Sequence, residues 1–177
     1  IFIIALAPLF SMLWAWLGKK GWEPSSPLKM AMGLGLLALG YAVIAFGVHG
    51  VAPSAKISMW WLITLYGLHT MGELCLSPIG LSMVSKLAPL RLSSLLMGTW
   101  FLANAAANKF AGTLSALIPP SAGESPVETV VKMPSFLGYT IDNLFSFFLV
   151  FIALSGSAAV LLLVIHRWLQ KRMHGVH

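Results

Sequence analysis

Residues 65–89 read LYGLHTMGELCLSPIGLSMVSKLAP, an apolar stretch long enough to cross a membrane that carries a carboxylate, Glu73, near its middle. A bilayer-spanning helix needs about 20 mostly apolar residues, and hydrocarbon heavily penalises an ionised acid. Read as a membrane helix, this stretch requires Glu73 to face protein or water rather than lipid.

The rest of the chain supports that reading. Of 177 residues, 58% are hydrophobic and 9% charged, with a mean hydropathy of +0.87. Soluble domains carry about 25% charged residues. Five stretches have the length and composition of spans, or nearly so: 1–17, 28–48, 58–84, 92–118 and 141–165. The fold class expected is all-α, a polytopic membrane helix bundle. Pro, Gly and Ser concentrate in the connectors between the spans, as turn-forming residues should. The first span opens at Ile1 with neither a methionine nor a basic flank. This start lacks the marks of a signal peptide and is expected to belong to a longer polypeptide.

Lysine and arginine in short loops mark the cytoplasmic side. Lys19, Lys20, Lys29, Lys86, Arg91, Arg167, Lys171 and Arg172 fall on one side by span counting. The other side has Lys56 and Lys132, with Glu124, Glu128 and Asp142. Eight against two puts the C-terminus in the cytoplasm. The net charge of +6 is therefore first a topology signal, with attraction to anionic lipid headgroups as a second use. No basic run is interleaved with exposed aromatics, so nucleic acid is not an expected partner. The single cysteine, Cys75, excludes an internal disulfide.

Within the spans, some residues read as packing. Gly33, Gly40 and Gly47 recur every seven residues, giving the second span a smooth face for a neighbouring helix. The alanines of ANAAAN, residues 103–108, do the same in the fourth. Trp14, Trp16, Trp60, Trp61 and Trp168 lie near span ends, where interfacial anchors belong.

Other residues could carry chemistry. At about 100° per residue, His69, Glu73 and Ser77 stack on one helix face, successive members about 6 Å apart. Pro78 cannot donate to the carbonyl of Leu74, so a bend is expected just beyond Glu73. Two readings of Glu73 compete. It is either a group that exchanges a proton for a cationic partner or substrate, or a structural acid paired with a basic residue elsewhere. Intramembrane acids are functional by default, which favours the first. A low-dielectric surrounding promotes protonation of a carboxyl group, and a cationic neighbour opposes it. His69 reads as a packing histidine ahead of a proton relay. Ser77 is either a ligand contact or a back-bond to the helix. On the fourth span Trp100, Asn104, Ala107, Ala111 and Ser115 form a second stripe. Trp100 lies about two turns inside the span, deeper than an anchor, and Asn104 offers an amide one turn on. An aromatic wedge with an interhelical hydrogen bond is the alternative for that pair. Lys109 points away from Trp100 and is not expected in a site. No paired carboxylates, Cys/His cluster, phosphate-cradling glycine loop or GxSxG occurs, so neither an enzyme, a metal site nor a cofactor is expected.

The segments GELCLSPIGLSMVSKLAP (72–89) and LMGTWFLANAAANKFAG (96–112) resemble the proton-dependent oligopeptide transporters of the major facilitator superfamily, especially bacterial di- and tripeptide permeases. ALAPLFSMLWAWL (5–17) is similar to that family's eighth helix. The resemblance implies that the five spans are helices eight to twelve, part of the C-terminal six-helix half of the fold. It implies a multi-pass protein of the bacterial inner membrane that takes up di- and tripeptides with protons, by alternating access. Glu73 then matches the family's tenth-helix glutamate, which helps bind the peptide amino terminus and pairs with a fourth-helix lysine when the inner gate closes. Ser77 matches the serine one turn later, and Trp100 the eleventh-helix tryptophan lining the cavity. Asn104 occupies a cavity position whose residue type varies. The implied partners are the peptide, membrane lipids and the N-terminal part of the same transporter, with protons as the coupling ion. Two alternatives remain: a relative carrying another small solute such as nitrate, and a scaffold subunit whose polar stripe only holds helices together.

Overall fold

A computed structural model describes residues 2–51, 56–115, 117–118, 135–136, 139–141 and 143–172, with 135, 136, 139, 171 and 172 described by backbone alone. The described residues form five long helices: α1 (Phe2–Lys19), α2 (Ser26–Val48), α3 (Met59–Leu87), α4 (Ser93–Ser115) and α5 (Leu144–Arg172). A 3-10 turn, Leu90–Leu92, leads into α4. Two-residue strands β1 (Ser135–Phe136) and β2 (Tyr139–Thr140) form a small antiparallel ladder before α5.

Local chemistry accounts for most boundaries. Pro27 sits at the start of α2, where its missing N–H costs nothing. The Trp60 N–H donates to Ser58 Oγ at the start of α3, and the Ser146 N–H donates to Asn143 Oδ1 (2.8 Å) at the start of α5. Both are side-chain caps for donors that a first helical turn leaves unpaired. Helix α3 runs through Pro78 without ending, and stops at Ala88, just before Pro89. Helices α3 and α5 continue beyond the apolar windows 58–84 and 141–165, into polar residues at their C-terminal ends.

Helices α1 and α2 and residues Leu144–Gln170 of α5 are long and apolar enough to cross a membrane. Helices α3 and α4 have the length, but Glu73, Ser77, Asn104 and Lys109 are among the residues that lower their hydropathy.

The core lies where α2 meets α3 on one side and α5 on the other. The glycine stripe of α2 is the α3 seam. A methyl group built on Gly33 would lie 2.7 Å from the Gly72 carbonyl oxygen, so the two main chains touch. Farther along, Gly40 receives the His69 ring and Gly47 the Trp61 ring. That order makes α2 and α3 antiparallel. On the opposite side Tyr41 meets Phe151 (ring centroids 5.1 Å apart) and His49 meets Phe145 (4.8 Å), making α2 and α5 antiparallel too.

This up-and-down arrangement brings the C-terminal ends of α3 and α5 to the end of the bundle where α2 begins. One expected loop charge is not in a loop. Lys29 belongs to the first turn of α2 and is 6% exposed, because α1 folds back and presents Trp14 and the connector to it. Trp14 and Trp61 are likewise packing residues, against Lys29 and Gly47, rather than interfacial anchors. Trp16, Trp60 and Trp168 are exposed. Glu124, Glu128, Lys132 and Asp142 lie outside the described residues, as do the side chains of Lys171 and Arg172.

Candidate substrate-facing site

Glu73 and Ser77 sit on the exposed side of α3, next to the seam made by Gly72. Among the described residues Glu73 makes no ion pair, and the Ser77 hydroxyl makes no hydrogen bond. Three other hydroxyls of this helix behave differently. Thr64, Thr70 and Ser85 each donate back to a carbonyl one turn earlier. Ser77 therefore keeps its hydroxyl available, although Pro78 leaves the Leu74 carbonyl without its usual N–H donor.

Trp100 reaches α3 at Gly80. A methyl group on Gly80 would stand 2.2 Å from Trp100 Cη2 and 2.9 Å from Cζ2, so the indole edge occupies the space a side chain would fill. Gly80 follows Glu73 by seven residues, about two turns, and lies on the same side of the helix as Glu73 and Ser77. The acid, the hydroxyl and the indole thus line up along one side of α3. Gly80 lies close to this stripe in the sequence as well, with nothing in the residue pattern to give it a function. Its seven-residue spacing from Glu73 is the available signal.

Beyond the indole, toward the turn between α3 and α4, lies a cavity of about 360 Å³. Met83, Val84 and Leu87 line it from α3, Ala88 from just past its end, and Leu96, Thr99, Trp100 and Ala103 from α4. Trp100 is its wall toward Ser77. The cavity offers apolar surface, since the Thr99 hydroxyl is already bonded to the Leu96 carbonyl.

Asn104 stands one turn farther along α4, exposed, with its Nδ2 donating to the Trp100 carbonyl (3.2 Å). The hydrogen bond stays within α4, so the interhelical bond considered for it is absent among the described residues. The amide oxygen remains an acceptor. Lys109 is exposed, as are Ala107, Ala111 and Ser115.

His69 does not join this group. Its ring meets Tyr41 edge-on, with centroids 4.7 Å apart, and presses on Gly40. It packs between α2 and α3, with a buried Nε2 that has no partner among the described residues. The packing reading holds.

A helix bundle with apolar, span-length helices, and polar side chains gathered on one side, defines a multi-pass membrane protein of the transporter type. The POT family model matches residues 1–131, and the chain belongs to that family. It is 44% identical over 116 residues to the peptide transporter YePEPT of Yersinia enterocolitica, covering 64% of this chain and 23% of that protein. It is 35% identical over 116 residues to dipeptide and tripeptide permease A of Proteus mirabilis, covering 66% of this chain and 23% of the permease. The crystal structure of a mutant peptide transporter POT in complex with alafosfalin superposes with a TM-score of 0.77 at 32% identity, over 98% of this chain and 31% of that one. The chain thus spans about a quarter of the length of the curated relatives, and its fold is part of the major facilitator superfamily fold.

Proposed function

We propose that this chain is the C-terminal part of a proton-coupled symporter for di- and tripeptides, with its C-terminus in the cytoplasm of a bacterium and its helices in the inner membrane. The observation that carries the reading is the single line of Glu73, Ser77 and the Gly80-seated Trp100 along the exposed side of α3. The names of the relatives supply the substrate class.

In this mechanism Glu73 is the exchange point. Ionised, it receives the cationic amino terminus of the peptide; protonated, it releases that charge and carries the coupling proton. An acid between protein and a wet passage suits this role, because its two protonation states differ strongly in what they attract. Ser77 hydrogen-bonds the peptide backbone one turn away. Trp100 offers its indole face to a side chain, and the Asn104 amide oxygen accepts from a peptide N–H. The carboxylate end of the peptide is held by the N-terminal part of the transporter. Protons are the coupling ion, and no cofactor takes part.

The test is uptake of a labelled dipeptide by the full-length transporter in liposomes under an imposed proton gradient. Glu73→Gln abolishes gradient-driven accumulation while still binding the dipeptide, at reduced affinity. Undiminished accumulation removes Glu73 from the mechanism. Stabilisation by nitrate in a thermal shift, with none by dipeptides, moves the cargo to another solute.

A further inference from the structure

The connector between α1 and α2 is stiff. Gly21 ends α1 with φ of 70°, and the Trp22 N–H donates to the Leu17 carbonyl (3.0 Å) while the Gly21 N–H donates to that of Gly18 (3.0 Å). This is the glycine-dependent closure of a helix C-terminus. Pro24 and Pro27 then fix the backbone into α2. Across this turn, among the described residues, the main chains of α1 and α2 do not approach each other; α1 packs on α3 instead.

Lys29 crosses that gap. Its Nζ donates to Glu23 Oε1 and lies 4.9 Å from the centroid of the Trp14 ring on α1. The other carboxylate oxygen of Glu23 rests against Gly18, where a methyl group would come within 2.9 Å of Oε2. A cation buried on α2 thus holds a carboxylate and an indole that both belong to the α1 end. A buried lysine without such partners would be strongly disfavoured, so the charge enforces the arrangement that surrounds it.

We propose that Glu23 and Lys29, with Trp14, are positioning residues that fasten α1 to α2, so that the two helices move as one piece when the transporter changes its open side. This rests on the transporter reading only for its functional consequence. The fastening itself is a property of the chain.

The experiment uses the full-length transporter with spin labels replacing Met12 on α1 and Met32 on α2, both exposed. The label-to-label distance is measured with the protein in liposomes, alongside dipeptide uptake. The otherwise unaltered labelled protein gives one narrow distance that stays the same with peptide and proton gradient. Lys29→Met keeps the aliphatic stem and strands no cation, so it folds; it broadens the distance and lowers maximal uptake at least fivefold with KM nearly unchanged. Lys29→Arg, retaining charge and ring contact, restores both readouts. Glu23→Gln serves as the second variant, with the same broadening expected. An unchanged narrow distance in Lys29→Met and Glu23→Gln overturns the proposal, as does a broadened distance with normal uptake. Absence of dipeptide uptake in the parent protein overturns the transporter reading instead, while the distances still report on the fastening.

Discussion

The substitution Gly80→Ala addresses the site most directly. The added methyl group would stand 2.2, 2.9 and 3.1 Å from Cη2, Cζ2 and Cζ3 of Trp100. Carbon atoms rest at about 3.5–4.0 Å, so the indole tip must retreat by more than about 1 Å. It has room to do so, because the cavity lined by Leu87, Leu96 and Thr99 lies directly beside it. The stability cost should therefore fall near the low end of the overpacking range, about 1 kcal/mol of a possible 1–3. The functional cost should be larger, since the indole leaves the line of Glu73 and Ser77. We expect about a tenfold rise in KM for dipeptide uptake, equivalent to about 1.4 kcal/mol, with a small drop in thermal stability in detergent. The double variant Gly80→Ala/Trp100→Phe removes the outer ring atoms that collide, and it should regain the lost stability without regaining affinity. Gly80→Ala with unaltered KM and unaltered stability would refute the seating of Trp100 in this notch.

Other outcomes follow from the same geometry. Gly40→Val places a branched side chain where the His69 ring lies 2.5 Å from the position its first carbon would take, and should lower thermal stability by about 1–3 kcal/mol. His69→Phe keeps a ring against Tyr41 and removes the unpaired nitrogen; stability within about 1 kcal/mol of the parent is expected, with an unchanged pH profile of uptake. A shifted profile would make His69 a proton carrier. Ser77→Ala leaves stability unaffected, because the hydroxyl holds nothing among the described residues, and raises the KM for peptide about fivefold through loss of one hydrogen bond. Asn143→Ala removes the cap of α5 and should cost about 1 kcal/mol in thermal denaturation, with uptake preserved.

The helices were legible because membrane spans are written in composition, and the α2–α3 seam because glycine at every seventh residue admits a close neighbour. The alignment of Glu73 with Ser77 was legible for the same reason: it needs only helical geometry. The seating of Trp100 was not, since it depends on the register between α3 and α4, which the short turn at Leu90–Leu92 fixes in space rather than in residue pattern. Lys29 is the residue whose sequence surroundings mislead outright. Lysine in a connector rich in charge, Pro and Ser looks solvated, and only the return of Trp14 from α1 reveals its burial. The β1–β2 ladder was equally hidden, because four residues in two short strands leave no alternating pattern to read.

The contact between Gly33 and Gly72 has a mechanical meaning. A joint in which main chain rests on main chain has no rotamers to absorb a push, so it transmits displacement nearly undiminished. Gly72 is the immediate neighbour of Glu73. A displacement of α3 at this point is thereby delivered to α2, and through the Tyr41 and Phe151 rings to α5. Three helices are thus joined to move together when α3 shifts beside Glu73.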